Sequence, residues 1–132
     1  LRSMLWDALG CRNACELKAL VVHPDHGVAD EARLAPLVDD IARGGDAAAN
    51  AILQQSASAL AEAAAATARA LALNAPSLAA RGGALQNLPL FRHRVETAVE
   101  KLIPGSRWQT SSGDACDGAL AFALDRVALR PH

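Results

Sequence analysis

The segment Ala80-Arg81-Gly82-Gly83-Ala84-Leu85-Gln86-Asn87 stands between a short apolar run and a helical pattern. Two adjacent glycines remove Cβ atoms where a planar base or a ribose could lie against the backbone, and the amides that follow can donate to phosphate oxygens. On spacing alone such a pair also reads as a plain tight turn. A second glycine motif, Gly113-Asp114-Ala115-Cys116-Asp117-Gly118-Ala119-Leu120, opens the last helical pattern. Gly118 would let that helix pack against a strand or against the Gly82-Gly83 turn, with Asp117 as its cap.

Other constellations carry less. Cys11, Cys15, His23 and His26 supply four zinc-ligand types within sixteen residues, but their spacing is not that of the usual zinc fingers, and buried cysteines with surface histidines are the simpler reading. No metal site is assigned. Glu31, Asp39, Asp40 and Asp46 read as a solvated helix face and, for Asp46, a helix cap, so no catalytic residue is assigned. Arg92, His93, Arg94 and Lys101 make one helix locally basic. Trp6 and Trp108 lie far apart in the sequence and read as packing residues, and the histidines offer no Ser-His-Asp arrangement.

The elements that must hold these residues follow from periodicity and breakers. Residues 1 to 20 predict two short helices or one broken near Gly10, and His23-Pro24-Asp25-His26-Gly27 predicts a loop. A helix from about Asp30 to Arg43 carries Leu34, Leu37, Val38 and Ile41 and ends at Gly44-Gly45. The long helix from Asp46 to about Leu73 is half alanine, with Leu53, Ala57, Leu60, Ala64, Thr67 and Leu71 as its apolar stripe. Residues 77 to 80 predict a short buried strand feeding the glycine turn, and Pro89 to Leu102 a helix with Phe91, Val95, Ala98, Val99 and Leu102 inward. Residues 107 to 110 predict a second strand, 111 to 114 a loop, and Asp117 onward a helix with Leu120, Ala123, Leu124, Val127 and Ala128. This order argues for a helix-rich α/β layer whose parallel strands are joined by helical crossovers.

Composition bounds the rest. The 132 residues carry 13 Lys+Arg against 14 Asp+Glu, a formal net charge of -1 that provides no field to gather nucleic acid or an anionic membrane. Thirty-one residues are alanine and 3% are aromatic, which favours close helix packing over bulky core anchors. No stretch approaches the roughly 18 to 20 apolar residues of a membrane span, and three cysteines without scaffold spacing fit a reducing compartment, so a cytoplasmic protein is expected. The chain opens at Leu1 inside a helical pattern, as a piece of a longer gene product would.

Taken in order, Leu34-Ala35-Pro36-Leu37-Val38, Gly45-Asp46-Ala47-Ala48-Ala49, Gly82-Gly83-Ala84-Leu85-Gln86-Asn87 and Asp114-Ala115-Cys116-Asp117-Gly118-Ala119-Leu120 resemble the C-terminal half of the BadF/BadG/BcrA/BcrD ATPase family, nearest its N-acetylglucosamine kinases. The resemblance covers roughly Ala32 to Val127, while residues 1 to 22 match poorly. It implies an actin-like ATPase fold, two RNase H-like domains closing on a nucleotide, of which residues 1 to 132 would form most of the second. It also implies ATP and Mg2+ as cofactors and an amino sugar as acceptor. Gly82 and Gly83 would form the adenosine turn, with Ala84 beside them, Asn87 just beyond at the start of the next helix and Gly118 packed behind, and Ala35, Pro36 and the Gly44-Gly45 turn would face the nucleotide from the other side. The phosphate loop, the sugar-binding residues and the catalytic carboxylate would belong to the absent half, so this chain alone is not expected to turn over. Where the family has β-branched residues before its glycines, this chain has Ser77-Leu78-Ala79-Ala80-Arg81. An activator ATPase and a non-catalytic helical interaction module are the alternatives, and a homodimer through the long helix and a monomer are equally compatible with the sequence.

Overall fold

The computed structural model describes residues 1–110 and 113–128. Their order is α1 (Arg2–Ala8), α2 (Ala14–Val21), α3 (Val28–Ala32), α4 (Ala35–Arg43), α5 (Ala47–Ala70), β1 (Ser77–Ala79), α6 (Gly83–Asn87), α7 (Pro89–Leu102), β2 (Arg107–Gln109) and α8 (Ala115–Ala128). The chain is helix-rich, with a small sheet in which β1 and β2 run parallel and Ser77, Leu78 and Ala79 stand opposite Arg107, Trp108 and Gln109. The connection between the strands passes through α6 and α7, the helical crossover that parallel strands require. Of the loop expected over 111 to 114, residues 111 and 112 lie outside the described ones.

Several expected boundaries move, each for a local reason. The helix expected from Asp30 to Arg43 is two helices, because Pro36 has no amide to continue the ladder and its ring would meet the Ala32 carbonyl; it sits instead in the first turn of α4. Residues 77 to 80 do not form a buried strand. Ser77 and Ala79 are exposed and only Leu78 turns onto the core, since a two-stranded ribbon is covered on one face. The last helix starts two residues before Asp117, capped by Asp114, whose carboxylate accepts from the Cys116 and Asp117 amides at 2.7 and 3.0 Å. Asp117 returns the bond by accepting from the Asp114 amide at 2.7 Å, which completes a reciprocal cap. Leu120, Phe122 and Leu124 on this helix are each more than three-fifths exposed, so the expected inward stripe faces solvent as far as Leu124. The side chains of Val127 and Ala128, the last two of that stripe, lie outside the described ones.

The core is built on α5 against α7. Ala49, Leu53, Ala57, Ala61, Ala65 and Ala68 are the buried positions of α5, at spacings of four, four, four, four and three. Leu53 and Ala57 of the expected stripe are among them, but Leu60, Thr67 and Leu71 are exposed, because Ala61, Ala65 and Ala68 let α7 come closer than a leucine would. Val95, Val99 and Ile103 from α7 and its end fill the facing side. A second cluster joins Ile41 and Ala42 of α4 to Ala49 and Leu53 of α5, and Phe91 packs against both clusters.

Polar contacts fix how these three helices meet. Asp39 is 1% exposed, a correction to the solvated face expected for it, and its Oδ1 accepts from the Phe91 amide at 3.0 Å. It serves as the cap that α7 lacks locally, since Leu88 precedes the helix and Pro89 heads it without an amide. Arg43 lies 3.2 Å from the other carboxylate oxygen. Asn50 donates to the carbonyls of Ala42 and Asp46 at 2.8 Å, and Arg94 of α7 binds the carbonyl and side-chain oxygen of Asn50.

The end of α5 shows local strain. The Leu73 amide donates to the Ala68 carbonyl and the Ala72 amide to that of Arg69, a closing pattern that needs a left-handed residue at its bend, and Ala72 adopts it at φ +51°. Ala72→Gly therefore stabilises the chain by about 1 kcal/mol in chemical denaturation. Asp39→Ala leaves the start of α7 without its cap and removes a buried partner of Arg43, and costs about 1 to 3 kcal/mol by the same measurement.

Candidate functional site

The glycine turn lies where a strand hands over to a helix. Gly82 has φ +94° and ψ 153°, a conformation that side chains rarely adopt, and it places Gly83 as the first residue of α6. A Cβ at Gly83 would meet only the Asn87 side chain, at 3.8 Å, so the conformational demand falls on Gly82. Gly82, Gly83, Ala84 and Asn87 are all exposed. Asn87 does not open the next helix; it closes α6, and Pro89 starts α7 after Leu88 turns the chain.

One cavity unites the two segments that sequence order keeps apart. Ala35 of α4 and Ala84 of α6 both line a space of about 260 Å³ between α4, α5 and the start of α7. Its other walls include Ile52, Leu53 and Phe91, with Ser56 and Glu31 as hydrogen-bonding groups. Pro36, Gly82, Gly83, Asn87 and Gly118 are not among its walls. The volume falls below the roughly 300 to 1,000 Å³ of sites that enclose a whole drug-sized ligand, so the space suits one apolar ring system. Ser56, Glu31 and Phe91 carry no motif in the sequence. The one available signal is a helix headed by proline with no capping residue before it, which requires a cap from elsewhere in the fold and thereby brings α4 to Phe91.

The second glycine motif reaches the turn by charge rather than by packing. The Asp117 and Cys116 amides hold the Asp114 carboxyl below its usual range, and the Arg81 guanidinium beside the turn adds to the effect. A Cβ at Gly118 would meet nothing within 4 Å, so the close packing expected there is not found. Gly113 is the tight position, where a Cβ would come within 2.8 Å of Asp117.

The remaining candidates separate. Cys11 is buried in the turn before α2 and Cys15 is exposed on that helix, so they do not share a helical face. His23 is exposed, whereas the His26 side chain is 8% exposed and lies 3.9 Å from Glu31. Among the described residues no group of three His, Cys, Asp or Glu is placed to hold a metal ion. Arg2 stacks on Trp6 with its guanidinium carbon 4.4 Å from the ring centre, while Trp108 packs on the core under β2. Among the described residues no helix is long and apolar enough to cross a membrane.

Gly82→Ala forces a left-handed alanine and lowers stability by about 1 to 2 kcal/mol, whereas Gly83→Ala changes it by less than about 0.5 kcal/mol; paired denaturation curves read the difference. Gly118→Ala adds helix propensity in open space and raises the helicity of α8, with a gain of about 1 kcal/mol. Because Asp114's folded pKa is depressed, its cap is complete above the ordinary carboxylate pKa and is lost as pH falls through the folded value. Amide chemical shifts of Cys116 and Asp117 across an acid titration follow that loss, and Asp114→Asn abolishes the transition.

Against known protein families, curated proteins and solved structures, the chain matches none.

Proposed function

We propose that this chain is the adenosine-cradling half of a cytoplasmic ATP-dependent sugar kinase of the BadF/BadG/BcrA/BcrD ATPase kind, acting on N-acetylglucosamine or glucosamine. The observation that carries the reading is the strand, turn and helix at β1, Gly82 and α6, together with the cavity that brings Ala84 beside Ala35. In this reading the chain forms most of a C-terminal RNase H-like domain, with β1 and β2 as neighbouring strands of its sheet. The apolar walls around Ala35, Ala84 and Phe91 take the purine ring, and Ser56 and Glu31 meet its polar edge. Gly82 and Gly83 leave the backbone open for the ribose to pass. ATP bound as its Mg2+ complex supplies the transferable phosphoryl group.

The residues present fit the adenosine end and not the metal, since no cluster of carboxylates converges beside the turn among the described residues. Metal ligands, phosphate loop, sugar contacts and proton-accepting carboxylate are accordingly assigned to the other half, which closes over the nucleotide and excludes water. The rival reading as a helical interaction module would rest on a bundle without parallel strands and on a long helix buried on both sides. Here β1 and β2 pair in parallel, and α5 leaves Leu60 exposed.

The test is ATP turnover by the gene product that carries this chain, with magnesium, in the presence of N-acetylglucosamine, glucosamine, glucose or no sugar. Turnover that depends on an amino sugar is expected, and Gly83→Val, which fills the turn without demanding a left-handed residue, raises the KM for ATP by about tenfold or more. Hydrolysis that ignores sugar points to an activator ATPase, and absence of turnover overturns the kinase reading.

A further inference from the structure

α5 and α7 run side by side in the same direction. Asn50 near the start of α5 is held by Arg94 near the start of α7, and Ala68 near the end of α5 shares its core cluster with Ile103 just past the end of α7. Two residues on from Ile52 and Ser56, which face the Ala35–Ala84 cavity, the helix has turned by about 200° and presents Gln54, Ser58 and Glu62 at four-residue spacing. Across from this row α7 presents His93, Arg94 and Lys101, and between the rows lies a groove of about 350 Å³.

The charges lining this groove make no ion pairs among the described residues. Arg92, on another face of α7, is neutralised by Glu96 at 2.8 Å, but no carboxylate lies within ion-pair distance of Arg94, His93 or Lys101 among the described residues. Glu62 makes no ion pair there either. Arg94 is also held in place, for its Nη1 donates to the Asn50 carbonyl at 2.6 Å and its Nη2 to the Asn50 side-chain oxygen, which fixes the guanidinium plane and leaves its other N–H groups uncommitted. A fixed, planar, unneutralised guanidinium suits an oxyanion, and Lys101, two turns or about 10 Å further along the same face of the helix, can lean back on its flexible stem toward the same charge. Glu62 works in the opposite sense. Its carboxylate only accepts hydrogen bonds, so it repels a bare anion and welcomes a ligand that also brings hydroxyl donors.

The geometry points to a second binding site in this groove, for a small hydroxylated oxyanion, either a carboxylate or a phosphate monoester. The oxyanion lies between Arg94 and Lys101, His93 adds a donor, and the hydroxyl groups turn toward Ser58 and Glu62, with Gln54 at the far end of a row about 12 Å long. The site occupies the opposite side of α5 from the proposed adenosine cavity and stands independently of nucleotide binding.

Calorimetric titration of the full chain with glycerol 3-phosphate, glycerate and inorganic phosphate tests this assignment. Saturable binding of a hydroxylated ligand is expected, and the first two probes separate a phosphate ester from a carboxylate. Lys101→Gln weakens binding by about fivefold to tenfold, and Glu62→Gln acts with opposite signs, weakening the hydroxylated ligand and strengthening inorganic phosphate. Lys101 and Glu62 are exposed, so unchanged thermal unfolding of both variants excludes loss of the fold as the cause. Absence of saturable binding by all three probes up to about 10 mM overturns the site, as does affinity indifferent to Lys101→Gln. Equal-signed effects of Glu62→Gln on all ligands overturn the role given to the hydroxyl groups.

Discussion

A buried carboxylate ties α4 to α7 where the two core clusters of this molecule meet. Asp39 is buried on α4, and the group it satisfies is the amide of Phe91, in the first turn of a helix that proline and leucine start without a cap of their own. Phe91 also packs its side chain against both core clusters. One hydrogen bond therefore fixes the start of α7 at the place where the two halves of the core meet. An unsatisfied amide at that depth would be costly, and so would the unpartnered carboxylate, so neither helix can shift without exposing both. Arg43 at the surface and the Asn50–Arg94 pair on the next turn extend the same constraint outward.

Around that anchor the alanine face of α5 sets distances. Ala57, Ala61, Ala65 and Ala68 allow α7 to lie close, and the closeness is what places Arg94 against Asn50 and leaves a groove of fixed width beside it. The same helix forms a wall of the apolar cavity through Ile52, Leu53 and Ser56. α5 is thus a partition with an apolar space on one side and a charged one on the other, and the position of α7 defines both.

Much of this architecture was legible in the residues. Gly44-Gly45 after one helix, Asp46 before the next, Pro89 and Pro104 around α7, and the order of strand, helix and strand all carry local chemistry that acts without the rest of the fold. Asp46 indeed accepts from the Ala49 amide at 2.9 Å, and α7 runs from Pro89 to Leu102. What sequence could not convey depends on partners. An aspartate in a helix among charged neighbours looks solvated, and only the tertiary approach of α7 makes Asp39 a buried cap. In a helix that is half alanine, several stripes are nearly equal in apolar character, so the inward face was decided by α7 and not by hydropathy. The cavity residues Ser56, Glu31 and Phe91 belong to three separate elements and carry no shared spacing, whereas the glycine turn could be found because Gly82 needs a backbone shape that its own residue type permits.

The alanine face also shapes how this chain can change over evolutionary time. Where α5 faces solvent away from both the cavity and the groove, as at Gln55 and Arg69, one polar residue can replace another with little effect on stability, so drift there is nearly free. On the inner face each alanine is already close to the smallest side chain available, and nearly every single-step replacement is larger. A first enlargement at Ala61 or Ala65 would press on α7, and the space opened by its displacement would make a second enlargement beside it less costly than the first. A lineage that retains the narrow pair must keep all of these positions small together, so they behave as a single heritable character.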